Sequence, residues 1–264
     1  MKILAIDSSG LPASAAVMED GTLLAEFTVN FKLTHSQTLL PMIDAVTEIT
    51  GIEARDFDVI AVTGGPGSFT GLRIGSATAK GIGLAWDIPL MAVQTVDALA
   101  WNLYGAPGLV CPMMDARRGQ VYTGLYRFLD AGKKDGGNEM QTIMETVMEQ
   151  TPMDVAELTD RINALGEPVT FLGDGVPVSR AQLLERLQVP WKEAPAHMNR
   201  QRAGAAASLA MHRLCGKPED GGNAWVIRRP ELLVSAADHV PDYLRLSQAE
   251  REKAERERAE RTGI

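Results

Sequence analysis

With 264 residues, 45% of them hydrophobic and 23% charged, the chain has ordinary globular composition and is long enough for one large domain or two small ones. A formal net charge of −8 argues against a stand-alone nucleic-acid binder, because phosphate binding needs clustered Lys and Arg. Two cysteines far apart in apolar stretches, Cys111 and Cys215, read as buried thiols in a reducing compartment rather than a disulfide framework.

The amino terminus has too short an apolar run for a signal peptide, and no stretch approaches the length of a membrane span, so a soluble cytoplasmic protein is expected. Residues 3–6 predict a strand ending on Asp7, followed by the turn Ser8-Ser9-Gly10-Leu11-Pro12. A second strand is expected over 14–18 and a third over 23–29, joined by the hairpin signal Glu19-Asp20-Gly21. Leu39, Met42, Ile43, Val46 and Ile49 recur at helical spacing, with Ser36 or Thr38 as cap, Pro41 in the first turn and Gly51 as stop. Residues 59–62 predict a buried strand that enters the glycine-rich loop 63–71, and a helix follows to about Trp86. Strands alternating with helices imply an α/β unit with a parallel crossover.

The chain then starts over. Residues 109–114 are apolar and end on Asp115; a polar turn, Ala116-Arg117-Arg118-Gly119-Gln120, leads into an alternating strand over 121–128. Two copies of one module suggest two lobes around a cleft, each supplying an Asp turn, although Asp after a strand is also a common turn former. A polar loop is expected over 133–138, helix over 139–165, and a strand over 169–172 that runs into Gly173-Asp174-Gly175. Helices over 180–187 and 203–215, the latter Ala-rich, and a loop over 216–223 complete the pattern. The division expected is a first lobe over 1–105, with the 200–225 helix packing back on it, a second over 106–199, and a C-terminal segment over 226–246. The charged tail 247–264 has no apolar stripe and reads as a solvated helix or disordered.

Residues 64–71 lack the Lys and Ser/Thr of a Walker loop, since Leu72-Arg73 follow Gly71, and lack the third glycine of a dinucleotide fingerprint. In the next helix Gly71, Gly75, Ala79 and Gly83 fall on one face. Each helical Gly costs roughly 1 kcal/mol against Ala. Close approach of another element supplies the reason, either within the chain or from a partner's helix. His35, His197, His212 and His239 have no second His at ligand spacing, so all four read as surface or capping residues and no metal is expected. No Gly-x-Ser-x-Gly elbow and no Cys in a nucleophile context is present, so no catalytic residue is expected. Asp7 and Asp115 could hold a hydrated metal near a nucleotide, with no clear third ligand.

Several stretches together carry a family resemblance. They are Ile3-Leu4-Ala5-Ile6-Asp7-Ser8-Ser9, Thr34-His35-Ser36-Gln37-Thr38-Leu39-Leu40-Pro41, Gly65-Pro66-Gly67-Ser68-Phe69-Thr70-Gly71-Leu72-Arg73-Ile74-Gly75, Asp115-Ala116-Arg117-Arg118-Gly119-Gln120-Val121-Tyr122 and Pro241-Asp242-Tyr243-Leu244-Arg245. In order and spacing they resemble the TsaB (YeaZ) family, non-catalytic subunits of the bacterial machinery that makes threonylcarbamoyladenosine in tRNA. The resemblance implies the α/β actin-like ATPase (ASKHA) fold, with two ribonuclease-H-like lobes around a cleft. It implies a catalytic paralogue, TsaD, as partner through a helical bundle on the first lobe, and TsaE, an ATPase, as a third component. It implies a homodimer when the chain is alone, tRNA contact only through the complex, and no cofactor of its own, with ATP or ADP at the complex interface. The partner interface expected is His35, Leu39, Leu40, Met42, Ile43, Val46, Gly71, Arg73, Gly75, Ala79 and Gly83. The nucleotide cleft expected is Asp7, Ser8, Ser9, Asp115, Arg117, Arg118, Gly173, Asp174 and Gly175. TsaD carries a His-x-x-x-His metal motif; the comparable stretch here, His35-Ser36-Gln37-Thr38-Leu39, has no second His. The alternatives are an independent small-molecule kinase of this fold, disfavoured by the bulky basic turn at 116–119, and a metallopeptidase, disfavoured by the missing His pair.

Overall fold

The computed structural model describes residues 1–133, 140–216 and 225–243. Strands β1 (Lys2–Asp7), β2 (Ala13–Glu19) and β3 (Thr22–Val29) form an antiparallel meander. Asp20 and Gly21 both take positive φ, 47° and 80°, which matches a two-residue turn to the twist of the strands it joins. Helix α1 (His35–Thr50) then crosses to β4 (Val59–Gly65), which pairs parallel to β1. Helix α2 (Phe69–Trp86) leads to β5 (Leu90–Gln94), parallel to β4. The first sheet therefore runs β3-β2-β1-β4-β5.

After α3 (Thr95–Trp101) the plan repeats. It continues through β6 (Leu109–Asp115), β7 (Gln120–Lys133), β8 (Met140–Asp154), α4 (Val155–Leu165), β9 (Val169–Leu172), α5 (Gly175–Arg186) and β10 (Trp191–Glu193). Its sheet runs β10-β9-β6-β7-β8, the same order as the first when read from the other end. Helix α6 (Ala203–Leu214) returns to the first lobe, followed by the short ribbon β11 (Cys215–Gly216) and β12 (Val226–Ile227).

Burial on both faces explains why β1 and β4 read as unbroken apolar runs. Ile3, Ala5, Val59 and Ala61 pack toward α6, through Ala206, Ala210 and Leu214. Leu4, Ile6, Ile60 and Val62 pack toward α1 and α2, through Leu39, Met42, Val46 and Ala79. The start of α6 is fixed by the meander: Ala203 N–H donates to Ser14 Oγ (2.9 Å) and Gly204 N–H to Glu26 (3.0 Å). The lobes are joined by a buried polar clasp. Tyr126 of β7 and Arg213 of α6 donate to the two oxygens of Asp97 on α3, each at 2.6 Å.

Several local expectations change. Residues 140–154 are strand, and only 155–165 are helix. Met140, Ile143, Met144, Val147 and Met148 imitate a helical stripe in sequence, but in the strand Ile143 is exposed and its neighbour Met144 is half-buried, so the five do not form one face. Helix α1 starts at His35, so Ser36 and Thr38 lie inside it, Pro41 falls in its second turn, and Thr34 is the N-cap. The Thr34 hydroxyl donates to Gln37 Oε1 (2.6 Å) instead of capping the backbone. The last three residues of the predicted glycine loop already form the first turn of α2, and α5 begins at Gly175 rather than Arg180. Cys111 is buried as expected, whereas Cys215 is half-buried, and both thiols are free. The loops expected over 133–138 and 216–223 lie largely outside the described residues, as does the tail 247–264; Lys133 and Gly216 themselves end strands.

Candidate functional site: the interlobe cleft and the outer face of the first lobe

The lobes face each other across a cleft of about 660 Å³. Ser9, Gly10, Ser68 and Phe69 line it from the first lobe, and Asp115, Arg117, Arg118 and Asp174 from the second.

Asp7 does not reach that space. It is 1% exposed. Its Oδ1 accepts from Ser9 N–H (3.0 Å), Ser9 Oγ (2.7 Å) and Thr63 Oγ1 (3.0 Å), while its buried Oδ2 has no partner among the described residues. Burial raises its pKa above the ordinary value, against the lowering effect of those hydrogen bonds. Ser8 is also buried, donating its hydroxyl to the Gly71 carbonyl (2.8 Å), and Ser68 N–H donates to the Ser9 carbonyl (2.7 Å). The first turn is thus sealed against the start of α2. Of the three residues expected there, only Ser9 lines the cleft, and Asp7 is placed to order the turn rather than to hold a hydrated metal.

The second lobe offers more. Arg117, Arg118 and Gly119 all have left-handed φ (65°, 57° and 76°), which tightens the turn and leaves the Arg117 side chain in solvent. Arg117 pairs with Asp115 at 3.0 Å and also donates its backbone N–H to it at 2.8 Å. Asp174 accepts from Asp115 N–H (3.1 Å), and burial pushes its carboxyl above the usual range. Gly173 and Gly175 are packed under the backbone of Met113, with no room for a Cβ at either position. They support the cleft wall and do not line the cleft.

The expected partner face is also rearranged. Leu39, Met42, Ile43 and Val46 are buried in the sheet-facing core. Gly71 lies against the Ser8 backbone and Gly75 against the Ser8 hydroxyl. Ala79 is fully buried, and a Cβ on Gly83 would stand 2.7 Å from Leu90 and 2.8 Å from Ala236. These eight residues face the chain's own sheet, so the close approach that explains the glycines is internal. His35 is half-buried, with Nε2 2.9 Å from the Gly10 carbonyl, and ties α1 to the first turn. His239, expected as a surface or capping residue, is buried.

Of the expected interface only Leu40, 52% exposed, and Arg73 face fully outward. They do not stand alone. Helix α2 has a second small-residue series, Ala77, Gly81 and Ala85 at i, i+4 and i+8, and all three are exposed. Leu84 (62% exposed), seven residues after Ala77, lies on the same side, and Trp86 (51% exposed) ends the helix. The sequence held a signal for this side: the two charges of α2, Arg73 and Lys80, lie beside the outer series and none lies on the inner one. Among the described residues, no group of three His, Cys, Asp or Glu is placed to hold a metal, and no helix is long and apolar enough to cross a membrane.

Comparison with known proteins gives a family context. Residues 23–252 match the family model described as TsaD, tRNA N6-adenosine threonylcarbamoyltransferase. The chain is 31% identical to the tRNA threonylcarbamoyladenosine biosynthesis protein TsaB of Bacillus subtilis over 250 residues, which is 95% of this chain and 96% of that one. It is 37% identical to TsaB of Escherichia coli over 130 residues, 48% of this chain and 55% of the relative. A crystal structure from Pseudomonas aeruginosa with similarity to peptidase YeaZ superposes with a TM-score of 0.68 at 25% identity, over 92% of this chain and 99% of that one. YeaZ from the same organism superposes with a TM-score of 0.65 at 24% identity and the same coverage. Similarity that runs end to end with the Bacillus subtilis protein, on one two-lobed actin-like plan, means that the chain belongs to the TsaB (YeaZ) family of tRNA threonylcarbamoyladenosine biosynthesis proteins.

Proposed function

We propose that the chain is a non-catalytic, activating subunit that acts in the cytoplasm by holding a TsaD-like catalytic paralogue on the outer face of α1 and α2. The carrying observation is that face. Ala77, Gly81 and Ala85 leave an exposed small-residue track on α2, with Leu84 outward on the same side, and α1 carries the outward Leu40. Apolar side chains left exposed beside such a track are what an interaction site offers. The same face serves a homodimer when the chain is alone. TsaE joins the pair, nucleotide binds at the interface of the complex, and tRNA is reached through the partners. The sealed Asp7 supports the lack of independent turnover, since its carboxyl is withdrawn from the cleft where a phosphoryl-transfer enzyme needs a metal-holding anion. The tether role of His35 is equally unlike a metal ligand's, so neither the kinase nor the metallopeptidase alternative gains support.

The test is co-elution of the purified chain with a TsaD-like paralogue, alongside assays of each protein alone for ATP hydrolysis and for threonylcarbamoyl transfer to tRNA. A stable complex is expected, with transfer only when the paralogue is present. Robust turnover by the isolated chain would overturn the reading.

A further inference from the structure

The last described stretch, 234–243, runs along α2 in the opposite direction and ends at the cleft. Val234 and Leu90 exchange both backbone hydrogen bonds at 2.9 Å. Ala236 fills the space beside Gly83. Lys80 Nζ donates to the carbonyls of Ala237 (2.8 Å) and His239 (3.0 Å). Asp242 N–H donates to the Gly64 carbonyl (2.7 Å), and its own carbonyl sits over Gly65 where no Cβ fits. The Tyr243 ring meets that of Phe69 at 4.9 Å between centroids, and the Arg73 guanidinium lies over the same Phe69 ring at 4.0 Å. Asp242 and Tyr243 both line the cleft. Only Ala236 and His239 are buried along this strap, so little apolar burial holds it, and such segments open locally at small free-energy cost.

The two cations of α2 therefore have a double position. Both lie beside the outer track, and both serve the strap, Lys80 directly and Arg73 through Phe69. We propose that the strap is a latch: a partner helix presenting carboxylates to the outer face of α2 draws Lys80 and Arg73 away and loosens residues 237–243 over the cleft. Docking outside the lobe is thereby transmitted to the cleft wall at Gly64 and Gly65. This rests on the partner-face reading, and the experiment separates the two.

Amide hydrogen exchange at Asp242 is the readout. In the isolated chain, Lys80→Met should accelerate it at least about tenfold, the size expected for losing hydrogen bonds to a charged group, while the amides of Leu4 and Ile60 in the central strands keep their rates. Tyr243→Ala, which releases the strap from its other end, should do the same. In the complex with the paralogue, formed and verified by size exclusion, the wild-type Asp242 amide should also exchange at least about tenfold faster. Unchanged or slower exchange in a verified complex overturns the latch and leaves the docking face standing. Failure to form any complex overturns both. Wild-type exchange in both variants, or acceleration spread across Leu4 and Ile60 as well, also overturns the latch.

Discussion

At Asp7 one carboxylate oxygen takes three hydrogen bonds and the other meets none among the described residues. A group whose folded pKa is raised stabilises the fold most below its unfolded value. That contribution falls as pH rises toward the folded pKa, by about 1.4 kcal/mol per pH unit between the two. Asn keeps the accepting oxygen and cannot ionise. Asp7→Asn should therefore match the wild type in thermal melting near the unfolded carboxyl pKa of about 4 and exceed it as pH rises above that; a gap that shrinks with pH would refute this. Gly75 is a second position where burial decides. A leucine there would meet the Ser8 hydroxyl under the helix, and overpacking of this kind costs about 1–3 kcal/mol. Gly75→Leu should lower the melting temperature clearly, and an unaltered melt would mean that the helix can shift away from the turn. Both residues were visible in the sequence, as an Asp ending a strand and a Gly in a helix. What was not visible was the enclosure that converts a cleft carboxylate into a turn anchor, because it depends on Thr63 and Gly71, more than fifty residues away.

Helix α2 carries small residues on two sides, and sequence spacing alone gives both series the same weight. The inner one packs on Ser8 and Leu90, and the outer one meets solvent. A Cβ added at Gly81 would have nothing within 4 Å, so Gly81→Leu should leave the fold intact, with a melting temperature at or above that of the wild type, since leucine is the better helix former. The same change should weaken the complex about ten- to a hundredfold, the overpacking cost read as affinity. Normal binding by a folded Gly81→Leu would move the docking face elsewhere. Elements marked by local chemistry were legible: the Asp20-Gly21 hairpin, the Gly51 stop with its φ of 66°, and the strand–Asp–turn echo that became two sheets of one strand order. β8 was not, because Met140, Met144 and Met148 are spaced by four, a step that keeps residues on one side of a helix and of a strand alike. The short β5 and β10 carry too few residues for a period to show, and pairing with longer neighbours defines them.

Across the whole molecule the clasp at Asp97 joins α3, β7 and α6, and so binds both lobes to one buried carboxylate. Burial and that neighbouring carboxylate push the Tyr126 pKa well above its ordinary value, so the phenol remains a donor. Tyr126→Phe leaves Asp97 Oδ1 buried without that bond, at a cost of about 1–3 kcal/mol. Hydrogen exchange should then rise in both sheets together, and a rise confined to the second sheet would mean that the clasp does not couple the lobes. Helix α6 has one more consequence. It covers Ile3, Ala5, Val59 and Ala61, yet it is encoded after the entire second lobe. On the ribosome, at roughly 5–20 residues per second, the first sheet must wait several seconds with an apolar face bare while Thr95 to Arg202 are made. Nascent chains stalled before Ala203 should be strong clients for chaperones that bind apolar strands, and those released past Leu214 should not.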